Sequence, residues 1–245
     1  MLLLLPPSET KSPGGDGALT LASLGFPALA SGRCAALRAL RDLVQAGQDA
    51  STPAKRRAAE ANAAVESSGV MPAIERYSGV LYDALDAASL DATARAWVSE
   101  HVAIGSALFG LVRADDEIPD YKLPHSTRVP GTTLRRVWAE VGELVQGGLV
   151  VDMRSKAYVA LLPVAGAIAF DVVDEHGVAL SHWNKHAKGD FVRRLAQSGA
   201  QASTVDELVG ASSAAGMDLR PEPAGLVLVT TRPATNAGRS APEPR

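Results

Sequence analysis

Met1-Leu2-Leu3-Leu4-Leu5-Pro6-Pro7-Ser8-Glu9-Thr10-Lys11 opens the chain. Its four leucines show no alternation of polar and apolar side chains, so a strand built from them is covered on both faces. Pro6 and Pro7, which carry no amide hydrogen, stop that strand. The next four residues leave an acid, an amine and two hydroxyls at a strand's carboxyl end, where open α/β sheets gather their ligand groups. A plain polar turn accounts for Ser8 to Lys11 equally well, and both readings stay open.

The leucine run is not read as a secretory signal, because it lacks a basic leader and ends at the prolines with no small-residue cleavage site. No later run approaches the roughly 20 apolar residues of a membrane span. A soluble, cytoplasmic protein is expected. With 245 residues and 47% hydrophobic content the chain can bury a substantial core as one globular unit, built from alanine, valine and leucine with Trp97, Trp138 and Trp183 as isolated bulky members. Net charge is −3 and the pI near 6.0, which argues against a global positive field for nucleic acid, so any polyanion contact must be local. The single cysteine, Cys34, excludes an internal disulfide framework and multi-cysteine metal sites, and reads as a small buried residue of a helix.

Farther along, Lys11 to Ala18 reads as a loop, and Ser31 as the cap of a helix through Leu37, Leu40 and Val44. Thr52-Pro53 starts a second helix with Lys55-Arg56-Arg57 near its amino end. Pro72 opens a short helix or extended segment, Gly79 breaks it, and helices follow from Val80 and over Thr93 to Val102. Gly105 and Gly110 frame an apolar strand or tight bend from Ile104 to Val112. Asp115-Asp116, in an acidic turn-rich stretch, reads either as oxygen ligands for a hard cation or as turn chemistry. A helix over Thr132 to Val145 precedes strands over Leu149 to Met153 and Ala167 to Val173. The latter turns at Glu175-His176-Gly177 and returns through Val178 to His182 as its hairpin partner. Helices over Phe191 to Ser198 and Val205 to Val209 and a strand over Leu226 to Thr230 complete a domain of residues 1–231. The fold class is α/β (α+β mixed), a single domain whose mixed sheet is flanked by helices. From Arg232 the tail, 232–245, is too poor in large apolar side chains to offset its ordering entropy and is expected to be disordered.

Charge concentrates in Ser181-His182-Trp183-Asn184-Lys185-His186-Ala187-Lys188-Gly189-Asp190-Phe191-Val192-Arg193-Arg194. Read as an extended run followed by a helix after Gly189, it presents lysine point charges and arginine forks to an anion. A solvated helix face is the alternative.

Several segments in order resemble the YaaA family of peroxide-stress proteins. They are the amino-terminal Leu2–Lys11, Tyr77-Ser78-Gly79-Val80-Leu81-Tyr82, Ser106 to Arg113 with Ile118 to Leu123, Asp152 to Tyr158, and Asn184 to Gly189, and the resemblance spans roughly Met1 to Thr230. It implies a single α/β domain of unusual topology, a basic cleft, binding of double-stranded DNA partly through a helix-hairpin-helix element, and a link to limiting free intracellular iron. The site residues it implies are Ser8, Glu9, Lys11, Tyr82, Arg113, Tyr121, Lys122, Arg154, Ser155, Tyr158, Lys185, Lys188 and Gly189. Two departures bear on this: Ala107 stands where many relatives have glycine, and Lys188-Gly189 replaces an Arg-Gly pair, keeping charge but not two-point geometry.

Three functions follow. A duplex-DNA binder would use Lys185, Lys188, Arg193 and Arg194, with Arg113 and Arg154 in the cleft. An enzyme for a small anionic substrate, such as a nucleotide or nucleobase derivative, would use Glu9, Lys11 and Tyr158 with Arg154, Ser155 and Lys185. Direct iron handling would draw on His125, His176, His182, His186, Asp115, Asp116 and Glu117. No cofactor is expected, and partners are double-stranded DNA or a small phosphate-bearing ligand. A deep pocket holding Glu9 points to the second function and a long shallow positive groove to the first.

Overall fold

The structure is a computed structural model, and it describes residues 1–139, 147–180 and 183–231. Residues 140–146, in the helix expected over Thr132 to Val145, and the 232–245 tail lie outside that set. So do Ser181 and His182.

Strand β1 (Leu2–Leu5) is fully buried along its length, as four unbroken leucines require. It lies between two parallel neighbours, β3 (Val102–Ser106) and β6 (Val150–Asp152), with Leu5 opposite Ile104 and Leu4 opposite Asp152. Parallel pairing continues outward through β7 (Ile168–Val173) to β9 (Gly225–Val229). Antiparallel edge strands β4 (Gly110–Arg113) and β8 (Asp218–Glu222) close the sheet, whose order among the described residues is β4-β3-β1-β6-β7-β9-β8. A separate antiparallel ribbon pairs β2 (Val70–Pro72) with β5 (Glu117–Pro119). The mixed sheet with its helices is the single α/β domain expected.

Helix boundaries follow local chemistry where a polar cap exists. Thr52 accepts from the Lys55 amide at the start of α2 (Pro53–Ala63), and Asp91 from the Ala94 amide at the start of α5 (Ala92–His101). Helix α1 (Ala30–Gln45) departs from expectation: it grows out of a 3₁₀ turn at Pro27–Leu29, so Ser31 lies inside it and caps nothing. Cys34 is exposed on α1, not buried, because Arg33, Ala36, Leu37 and Leu40 take the inward positions. The Arg33 guanidinium is fully buried and donates to the carbonyls of Phe109, Leu24, Gly25 and Leu111. Gly110 opens β4 at φ +75°, turning the chain against the Trp138 ring. The bend between the two glycines is thus a β3–β4 hairpin.

Two further expectations fail. The chain does turn back along β7, but only through one antiparallel bridge, Val173 to Ala179, with the Leu180 amide donating to the Val172 carbonyl and the Asp174 amide to that of Val178, and 178–180 form no strand. The basic stretch is one helix from its first described residue, α8 (Trp183–Ser198), without an extended half. Gly189 explains the continuity. It packs α8 against α4 (Val80–Leu85) so closely that a Cβ there would sit 2.1 Å from the Leu81 carbonyl oxygen. The glycine is a contact between helices, not a break.

Replacing Gly189 with alanine is therefore expected to lower unfolding free energy by about 1–3 kcal/mol through overpacking. Gly210→Ala in α9 (Val205–Ala214), where a Cβ meets open space, should instead raise it by about 0.4–1 kcal/mol. Urea denaturation of the two variants checks the contrast.

Candidate functional site

Chain direction places a crevice at the centre of the sheet. From β1 the chain runs on to β3 on one side, whereas β6 feeds β7 on the other, so the connections diverge above the carboxyl ends of β1 and β6. Such a switch point is where open sheets hold ligands. The segment after β1 and helix α7 (Lys156–Leu161), which follows β6, border it, and the segment after β5 crosses it. Ser8, Glu9, Lys11, Tyr121, Lys122 and Tyr158, with Pro7, Leu123 and Pro124, line a space of about 40 Å³ there.

Lys11 is held by its backbone, which bridges to Tyr77, while Ser12 donates to the Arg76 carbonyl at 2.8 Å. Its ammonium lies 4.1 Å from the Tyr121 ring centroid and 5.3 Å from that of Tyr77, and donates to the Ser8 carbonyl at 3.4 Å. Burial pushes the amine down to about 8; nearby Lys122 adds to this, and Asp120 and Glu9 oppose it. Beneath it the Tyr121 hydroxyl lies 2.6 Å from that of Tyr77 and 2.7 Å from Ser106 Oγ, which accepts the amides of Leu108 and Phe109. Tyr82 donates to the Pro6 carbonyl at 2.7 Å. Burial pushes all three phenols up, so they stay protonated and fix the rings under Lys11.

At the mouth, Lys122 Nζ lies 2.9 Å from Glu9 Oε2 and donates to the Glu9 carbonyl at 3.2 Å. The hydrogen bond from Lys122 holds the Glu9 carboxyl below its usual range, and the charges of Lys11 and Lys185 help. Glu9 is 77% exposed, so the pair contributes under about 1 kcal/mol. The Tyr158 ring lies 5.3 Å from that of His125, tilted by 59°, and burial pushes its phenol up against the effect of a hydrogen bond from the His125 backbone.

The other expected site residues serve different ends. Arg154 is buried below the crevice, donating from Nε and Nη2 to Asp152 at 2.8 and 2.6 Å, and its Nη1 has no hydrogen-bond partner. Ser155 is exposed at the start of α7 and caps no amide with its side chain. Lys185 is exposed and close enough to act on Glu9. Lys188 is buried and donates to the Met153 carbonyl at 2.9 Å; burial pushes it down, opposed by Asp171 and Asp152. Arg193 donates to the carbonyls of Leu85 and Asp86 and to Ser89 Oγ, and Arg194 pairs with Asp190 one turn back. Arg113 lies at the opposite end of the sheet with Met1 and Leu2, its guanidinium over the Phe26 ring. In the Ala107–Phe109 turn the amides of Leu108 and Phe109 donate to Ser106 Oγ, and all three residues are buried.

Among the described residues no three histidine, cysteine or carboxylate side chains gather as a metal site. Asp116 accepts the amides of Gly25 and Arg113, Asp115 pairs with Arg95, and His186 stacks on Trp183. The Tyr77–Tyr121–Ser106 hydroxyl chain was not foreseen as a unit. Its signal is one hydroxyl in each of three quoted segments, none polar enough alone to suggest a buried network.

Two outcomes follow from these burials. An Asp152→Asn change leaves the Arg154 guanidinium buried without its counter-charge and should cost about 3–5 kcal/mol of unfolding free energy, read by denaturant titration. For Lys11 the folded-state pKa of about 8 lies below the unfolded value near 10.4, so the unfolded chain binds more protons between them. Stability of the natural chain relative to Lys11→Met should accordingly be flat below about pH 7.5 and rise between about 8 and 10.

The family model described as peroxide stress protein YaaA matches residues 1–222. A UPF0246 protein of Corynebacterium efficiens is 42% identical over 236 residues, covering 89% of this chain and 94% of its own length. A UPF0246 protein of Corynebacterium glutamicum is 41% identical, covering 91% of this chain and 96% of its own. One from Streptomyces coelicolor is 36% identical, covering 91% and 93%. Matched by the family model over residues 1–222 and by relatives along nearly its whole length, the chain belongs to the YaaA family of peroxide stress proteins.

Proposed function

We propose that this peroxide-stress protein works by binding a small phosphate-bearing ligand in the crevice at the carboxyl ends of β1 and β6. The observation that carries the reading is the convergence of three lysines, Lys11, Lys122 and Lys185, on the single carboxylate Glu9. A space of about 40 Å³ would take only the head group of a larger ligand, and the rest would lie outside. An incoming anion takes over Lys122 from Glu9, an exchange that the exposed pair opposes only weakly.

Duplex DNA is the second reading. What favours it is the exposed rim, where Lys185 and Lys156 flank the crevice with Lys122. Lys188 and Arg193 are engaged by internal carbonyls and Arg113 lies at the far end of the sheet, so the contact would rest on these three lysines. We propose the family's link to low free iron as a downstream effect, because among the described residues Asp115, Asp116 and His186 are engaged by Arg95, the Gly25 amide and Trp183 and no three candidate ligands gather.

Calorimetry with 2-hydroxyethyl phosphate and with a short duplex tests both. The small phosphate should bind, and Lys122→Glu with Lys185→Glu should weaken it by roughly tenfold or more. A duplex held by three lysines should show log K falling against log salt with a slope of about −3. No heat with the small phosphate and a steep salt slope with the duplex would reverse the order of the two readings.

A further inference from the structure

We propose that Lys11 is a nucleophile that forms a reversible imine with a small phosphate-bearing aldehyde or ketone in the crevice, which extends the anion reading to a covalent step. The geometry is that of an amine set for addition. Its nitrogen lies over the faces of the Tyr121 and Tyr77 rings, its backbone is pinned to Tyr77, and its one hydrogen-bond acceptor among the described residues is the Ser8 carbonyl at 3.4 Å. No carboxylate among the described residues pairs directly with it, whereas neighbouring Lys122 is ion-paired to Glu9. A desolvated lysine of this kind is how proteins make an amine nucleophilic near neutral pH. The charged groups facing it are Asp120, Glu9, Lys122 and Arg76. Together with burial they bring its titration to about 8, so a sizeable fraction is free amine at pH 7.5.

The step balances without a redox partner. The neutral Nζ lone pair attacks the carbonyl carbon, a C–N bond forms, and the C=O π pair moves to oxygen. A proton passes from nitrogen to that oxygen and gives a carbinolamine. Protonation of the hydroxyl then lets water leave as the nitrogen lone pair closes the C=N bond, and hydrolysis reverses each event. Tyr158, whose phenol burial keeps protonated, and ionised Glu9 line the same space and are the proton donor and acceptor for these transfers. Lys122 and Lys185 receive the phosphate. None of the tyrosines under Lys11 takes part, because their hydroxyls are committed to one another, to Ser106 and to Pro6.

Glycolaldehyde phosphate with cyanoborohydride at pH 7.5, followed by peptide mass spectrometry, is the test. The expected result is a reduced adduct at Lys11 forming about tenfold faster than at exposed lysines, since its larger free-amine fraction outweighs its lower basicity. Lys11→Arg, which keeps the cation, should abolish that adduct, and 2-hydroxyethyl phosphate, which has no carbonyl, should suppress it. Labelling confined to exposed lysines while calorimetry still shows 2-hydroxyethyl phosphate bound overturns the imine and leaves anion binding standing. A Lys11 adduct that 2-hydroxyethyl phosphate neither suppresses nor binds beside keeps the nucleophile and overturns anion recruitment. Absence of both removes both.

Discussion

The whole architecture depends on a four-residue strand that has no exposed face. Because β1 is hydrogen-bonded on both edges and covered above and below, the only polar groups it can offer are those beyond its ends. Divergence of the connections at β1 and β6 then opens a gap above one end. Ser8, Glu9 and Lys11 enter it because the prolines stop the strand just before it. Core and crevice thus follow from the same eleven residues.

Buried cations are the second recurring theme, and most serve the backbone. Arg33 and Arg76 each spread their donors over four carbonyls, while Lys188 and Arg193 close off carbonyls near Met153 and the end of α4. In each case a long side chain satisfies acceptors that a loop or helix end would otherwise leave unpaired. That leaves comparatively few lysines for outside partners. The charge-dense stretch of the sequence is therefore a structural helix in which Lys185 faces the crevice mouth.

The sequence was most legible where one local rule decides the outcome. Uniform leucines predict a doubly covered strand, Thr52-Pro53 predicts a helix start that the structure has, and the helix expected from Thr93 begins at Ala92. It was least legible where distant neighbours decide. Gly189 looked like a helix break until Leu81 was set against it. For the site, Ser8, Glu9, Lys11, Tyr121, Lys122 and Tyr158 were legible through resemblance and do converge. Arg113, Arg154 and Lys188 came through the same resemblance and Arg193 through charge, and neither tells a side chain aimed at a ligand from one aimed at the protein's own carbonyls and carboxylates.

Arg76 reaches from α3 (Ala73–Arg76) to the carbonyls of Ser12 and Gly14 on one side and of Gly69 and Ile118 on the other. A guanidinium clamped in this manner makes the segment after Lys11 a rigid extension of the β2–β5 ribbon. A ligand docking there would sacrifice little chain entropy. The ribbon, standing apart from the main sheet, is in that sense the outer jaw of a vice whose inner jaw is the leucine strand.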